Sequence, residues 1–207
     1  MKERAVYLTS FQTLAIMKGH QHKISFPLMP QCRLAAPAKP KNETKDFWVL
    51  SLASGDDEIR TCPWGKIGDV VSVREPWWFD PKREVIVYDS EITSEDKAKE
   101  AGWLKKSPRA MSADRSRLSL MIKDIWLRSV TDIDERDARA HGFVCDLHPK
   151  DHPNCGCYVS RTRMSQRWDD DFYTTTPDTQ WHYSPTIWTI SFEIEKVRLL
   201  STMEIGP

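Results

Sequence analysis

The chain has 207 residues, with 30 lysines and arginines balanced by 30 aspartates and glutamates. That length fits one domain with long insertions better than two, and the neutral balance excludes binding to a polyanion through net charge alone. No apolar run approaches the ~18 residues of a membrane span, and the charged Met1-Lys2-Glu3-Arg4 start lacks the apolar core of a signal peptide. Five cysteines, an odd number, fit reduced thiols or a metal better than a disulfide framework. A soluble cytoplasmic protein without a membrane partner is the expectation. Nine tryptophans argue for aromatic packing of the interior, with one or two left over to line a base-stacking pocket.

In chain order, Ala5 to Ser10 reads as a strand and Phe11 to Lys18 as a helix, with Ser10 as N-cap and Gly19 in the C′ position. His20 to Lys23 then read as a polar stretch behind that helix. Residues 33–46 form a Pro/Ala/Lys loop, and Phe47 to Leu52 a strand. The segment Cys62-Pro63-Trp64-Gly65-Lys66-Ile67-Gly68-Asp69 is a Gly/Pro turn. It leads into a β-branched strand from Asp69 to Val73, closed by Arg74-Glu75-Pro76-Trp77. Pro81 to Val87 is a further strand. Thr93 to Ala101 is a helix with acidic residues in its first turn.

Arg117 to Ile125 alternates apolar residues as a strand, extended by Trp126 to Val130. Asp134 to Gly142 is a short helix, capped by Asp132 or Asp134 and closed by its glycine. Residues 144–158 are a Cys/His/Pro loop, Arg161 to Tyr173 is helical, and Thr186 to Lys196 is the last strand. This order predicts an α+β fold, a mostly antiparallel β-barrel with short helices at its ends. One domain spans 1–198, with insertions at about 30–46, 80–108 and 144–185 and a tail at 199–207.

The opening strand and helix ending at Gly19, the Cys62–Asp69 turn and Val73-Arg74-Glu75-Pro76-Trp77 are followed by Met111 and Ser116-Arg117. Then come the Thr131–Gly142 segment, Trp168-Asp169, Trp181, Pro185 and Trp188. In this order and spacing the chain resembles the ASCH-domain proteins of the PUA-like superfamily, in the form found in bacteriophages and prophages. The resemblance implies a pocket at the barrel mouth that handles nucleic-acid bases, in the cytoplasm of a bacterial host. Some members remove the acetyl group from N(4)-acetylcytidine, and others are linked to RNA.

The amidohydrolase pattern of that family is Gly-Arg-Lys-x-x-Thr after the first helix, with a glutamate near the end of the second short helix. Here Gln21 stands at the lysine, Ile24 at the threonine and His141 at the glutamate. Lys23 and Ser25 offer a shifted lysine–hydroxyl pair, so the catalytic candidates are Lys23, Ser25 and His141.

The leading expectation is recognition of a nucleic acid or modified nucleotide by Gln21, Lys23, Arg74, Glu75 and His141, with Trp77 as a stacking surface. A hydrolase of an acylated base is the second expectation. A protein-interaction role, in virion assembly or in blocking a host defence through a phage or host protein, is the third. Bland readings stand beside these: a solvated loop behind the first helix, and a structural ion pair at Arg74-Glu75.

Cys145-x2-His148-x3-His152-x2-Cys155-x-Cys157 carries enough soft ligands for a structural zinc, although its spacing is not that of a standard finger. A polar loop with reduced cysteines is the alternative. Arg109, Arg115, Arg117, Lys123, Arg128, Arg161, Arg163 and Arg167 form a basic set that fits either a phosphate groove or a mixed surface.

Overall fold

The computed structural model describes residues 4–32, 34–45, 47–143, 159–172 and 177–197. Its strands are β1 (Ala5–Tyr7), β2 (Lys23–Pro27), β3 (Lys39–Pro40), β4 (Phe47–Ser51), β5 (Asp57–Thr61), β6 (Val70–Arg74), β7 (Trp77–Asp80), β8 (Val85–Tyr88), β9 (Leu104–Lys106), β10 (Leu118–Ser129) and β11 (Thr186–Val197). The α-helices are α1 (Ser10–Met17), α2 (Glu95–Glu100), α3 (Glu135–Ala140) and α4 (Val159–Phe172). The protein is therefore α+β, with mostly antiparallel sheets and few, short helices. It divides into two compact units, and the long strands β10 and β11 give residues to both.

In the first unit (residues 1–17, 70–121 and 193–207) β1 runs parallel to β6, while β6 is antiparallel to the start of β10. A second, antiparallel sheet has the order β8-β7-β9. Thr9, one residue before the expected cap, closes the start of α1: its Oγ1 accepts from Gln12 N at 3.2 Å and Gln12 Oε1 accepts from Thr9 N at 3.0 Å. This reciprocal pair satisfies two backbone donors that the helix cannot use internally. Asp89 ties α1 to β7, accepting from Ser10 Oγ and from Trp78 Nε1 at 2.8 Å each. Burial alone would raise the Asp89 carboxyl, but these bonds, with Lys105 beside it, hold it below the ordinary range.

In the second unit (residues 18–69 and 122–192) β2 pairs antiparallel with β11, and β3-β4-β5 form a separate antiparallel sheet. β2 begins at Lys23, the last residue of the polar stretch His20–Lys23 behind the first helix, and runs on to Pro27. Ile24 packs on one side while Lys23 and Ser25 share the other, because successive side chains of a strand alternate. Along β10 the burial phase slips by one: Leu118, Leu120 and Ile122 are buried, then Ile125 and Leu127. One extra residue there puts Asp124, Trp126 and Arg128 on a common face.

The core of this unit gathers Val130, Ile133, Ala138, Met164, Trp168 and Ile187. Helix α4 starts on a carboxylate supplied by α3, since Glu135 accepts from Ser160 N and Arg161 N at 2.9 Å each. Negative charge at that position satisfies two free N–H groups and complements the helix dipole. Trp168 is anchored through its Nε1, which donates to Thr179 O at 2.7 Å.

Candidate functional site

Helix α3 begins at the N-cap Asp134, whose Oδ1 accepts from Asp137 N at 2.6 Å. It ends at Ala140, with His141 as C-cap and Gly142 following at φ 89°. A glycine there lets the chain leave in the left-handed region at no steric cost. Asp137 and His141 are four residues apart and so lie on one helical face. Directly beside them runs the segment that leads into β2: Gln21 and His141 form an isolated antiparallel bridge, and His22 N donates to Ala140 O at 2.9 Å. The segment behind the first helix and the end of the later helix therefore meet.

Two hydrogen-bonded systems diverge from Asp137. Through its main chain, the Asp137 carbonyl accepts from His141 Nδ1 at 2.7 Å. A carbonyl only accepts, so Nδ1 carries the proton and Nε2 is left as an acceptor. Ser25 Oγ lies 2.7 Å from Nε2 and 2.7 Å from Thr189 Oγ1. The proton order that satisfies all three groups has Thr189 donating to Ser25 and Ser25 donating to His141. Burial pushes the His141 imidazole down to about 4, against the raising effect of the Asp137 carbonyl. The ring is therefore neutral at pH 7, and Ser25 is paired with a base.

Through its side chain, Asp137 accepts from Lys23 Nζ at 2.6 Å and from Arg128 Nη1 at 2.7 Å. Burial opposes ionisation of this carboxyl, but the bonds from Arg128 and Lys23 outweigh it and hold the group below the ordinary carboxylate range. Lys23 Nζ also sits 4.8 Å from the centroid of the half-buried Trp126 ring. Lys45, bonded to Asp124 Oδ1 at 2.6 Å, lies 5.8 Å from the same ring.

Three buried polar atoms of this cluster have no hydrogen-bond partner among the described residues: Gln21 Oε1, Arg128 Nε and Arg128 Nη2. The last two form one edge of the guanidinium, the fork that grips a carboxylate or phosphate with two parallel bonds. Gln21 is otherwise held by its Nε2, which donates to Lys23 O at 3.0 Å.

Of the residues named from sequence, Gln21, Lys23, Ser25 and His141 come together in the second unit. Arg128, named from the sequence in the basic set, joins them, and Asp137, Trp126 and Thr189, which were not foreseen at this site, complete the group. The i, i+4 spacing of Asp137 and His141 was the signal in the sequence that pointed to Asp137.

Arg74, Glu75 and Trp77 belong to the first unit. Glu75 takes Arg117 side-on, with Nε to Oε1 at 2.8 Å and Nη2 to Oε2 at 3.0 Å. Arg117 also donates to Glu91 and Ser90, and its guanidinium carbon lies 4.1 Å from the Tyr88 ring centroid. Burial pushes the Glu75 carboxyl up, against the pull of Arg117. Trp77 is buried in a cluster with Tyr88 and Met111, and Arg115 stands 5.5 Å from its ring centroid. Arg74 lies on β6, paired in register with Tyr7.

Several of the basic set are thus engaged locally, including Arg117 and Arg128; Arg167 pairs with Asp171 at 3.0 Å. Cys145, His148, His152, Cys155 and Cys157 lie outside the described residues, among which no group of three or more potential metal ligands occurs. No helix among them is long and apolar enough to cross a membrane. No protein-family model matches the chain, and no curated protein or solved structure matches it.

Proposed function

We propose that the second unit recognises a nucleotide, free or within a nucleic acid. The observation that carries this reading is the open Nε/Nη2 edge of Arg128, buried beside Lys23 and the Trp126 ring. A phosphate or base carbonyl satisfies that edge. Trp126 offers a stacking face, and Gln21 Oε1 accepts from the N–H of a base. This agrees with the ASCH-type, PUA-like barrel that the sequence resembles. The resemblance also supplies the phage setting, the cytoplasm of a bacterial host, and a phage or host protein as an alternative partner. Zinc at Cys145, His148, His152, Cys155 and Cys157 is proposed on their pattern alone. Elemental analysis of protein purified without chelator tests it, and a metal-free chain rejects it.

A second reading, hydrolysis of an acylated base, is favoured by one observation: Ser25 Oγ stands 2.7 Å from an imidazole nitrogen whose tautomer is fixed. That is the relation of a nucleophile to its general base.

One experiment separates the two readings. The full chain is titrated with single-stranded RNA, single-stranded DNA and N(4)-acetylcytidine over a salt series. On the binding reading, Arg128→Met and Lys23→Met each weaken association about tenfold or more, and each flattens the salt slope by about one unit. Release of acetate that Ser25→Ala abolishes establishes the hydrolase reading instead. Failure to bind any of the three at low salt rejects nucleotide recognition.

A further inference from the structure

The second unit carries a cavity of about 640 Å³ elsewhere, within the size range of small-molecule sites. Its floor is the cross-strand pair Phe26 and Trp188, from β2 and β11. Trp64 stands against Phe26 with ring centroids 4.6 Å apart and planes inclined by 31°. Met29 and Ile59 form the rim, 49% and 53% exposed. By strand alternation Phe26 lies on the opposite face of β2 from Lys23 and Ser25, so this cavity is separate from the Asp137 cluster.

One cation interrupts the apolar wall. Arg60 on β5 meets Glu58 Oε1 through Nη2 at 2.8 Å, while its Nε is buried without a hydrogen-bond partner among the described residues. A buried guanidinium N–H left unpaired keeps its desolvation cost without compensation, and such groups call for a particular explanation because nearly all are paired. Here the explanation lies in what the cavity accepts. Flat aromatic faces select a flat, polarisable partner. A desolvated arginine N–H selects an anionic acceptor, because a bond to a charged oxygen is about twice as strong as one to a neutral oxygen. The thioether of Met29 adapts to the outline of a ring.

We propose that this cavity binds a planar aromatic ring bearing an anionic group, carboxylate or phosphate. The ring packs on Trp64 and Phe26 and the anion accepts from Arg60 Nε. The site uses none of Gln21, Lys23, Arg128 or His141, so it stands or falls apart from the nucleotide reading of those residues.

The test is calorimetry, with tryptophan fluorescence in parallel, on the full chain. Indole-3-acetate serves as the aromatic carboxylate and adenosine 5′-monophosphate as the aromatic phosphate. Adenosine alone and inorganic phosphate alone serve as ring-only and anion-only controls. At least one aromatic anion is expected to bind saturably and about tenfold or more tighter than either control. Trp64→Ala and Arg60→Met are each expected to weaken it by a similar factor.

Ile59→Glu provides a variant at an exposed rim position, where folding is undisturbed, and the added carboxylate is expected to repel the ligand. The proposal is overturned if neither anion binds, if adenosine binds as tightly as its monophosphate, or if Arg60→Met and Ile59→Glu leave affinity unchanged. Loss of binding in Lys23→Met but not in Arg60→Met assigns the ligand to the Asp137 cluster and overturns this site alone.

Discussion

Replacing Arg117 with methionine is expected to cost about 3–5 kcal/mol of folding stability, the penalty for removing one partner of a buried ion pair. Arg117 is 5% exposed and Glu75 1%, so both charges were taken from water on folding. The pair is tolerable because its geometry is complete: two parallel bonds join guanidinium and carboxylate, Glu91 and Ser90 take further N–H groups, and the Tyr88 ring covers the flat face. Methionine fills comparable space but leaves Glu75 charged, buried and unmatched.

The direction of the Glu75 shift sharpens this expectation. Its carboxyl sits above the ordinary range because burial outweighs Arg117. A carboxyl raised by folding contributes stability below its unfolded value and loses that contribution as pH rises through its folded value. Without Arg117 the folded value rises further. The deficit of the variant is therefore largest at neutral pH and shrinks on acidification, as Glu75 takes up a proton. Urea unfolding of parent and variant at pH 7 and pH 5 measures both effects. A variant within about 1 kcal/mol of the parent at pH 7, the range of an exposed pair, rejects the account.

The elements with strong local signals were legible in the sequence. Alternation marked β10 and β11, and Gly142 with a cap at Asp132 or Asp134 bounded α3, the structure choosing Asp134. β2 was missed although Lys23-Ile24-Ser25-Phe26 alternates polar and apolar residues: the run is five residues long, has one β-branched residue and ends in Pro27, too short a signal to mark a strand by itself. β5 (Asp57–Thr61) has three charged residues in five, and its strand character depends on pairing with β4.

The candidate site shows the same division. Lys23, Ser25 and His141 were legible as chemistry. Their completion by Asp137 and Thr189 was not, since those residues reach the group only through the pairing of β2 with β11 and the packing of α3. Trp126 and Arg128 face the cluster because of the one-residue slip in β10, which periodicity over the whole segment conceals. Glu75 was legible as a member of a pair, but local reading gave it Arg74. Its actual partner, Arg117, is 42 residues away.

Stability is expected to fall by about 3 kcal/mol as pH drops from 7 to 4, from His141 alone, because folding moves its imidazole from 6.5 to about 4. The sign follows from which state binds the proton. Below pH 6.5 the unfolded chain protonates this ring while the folded chain excludes the proton, so unfolding is favoured progressively until the folded value is reached. Protonation also breaks the site. Nδ1 already donates to the Asp137 carbonyl and a protonated Nε2 no longer accepts from Ser25, so Ser25 and Thr189 must both reverse their bonds.

Asp137 has the opposite character: its depressed carboxyl contributes stability that persists through this window and fails only below about pH 4. The two residues therefore separate on the pH axis. His141→Gln should flatten the slope between pH 7 and 4 while leaving the steeper acid limb. Chemical denaturation at half-unit pH steps provides the slopes, and imidazole carbon shifts provide the titration directly. A His141 ring that titrates near 6.5, or equal slopes in parent and variant, contradicts a buried neutral imidazole, and with it the fixed tautomer that makes Nε2 a base for Ser25.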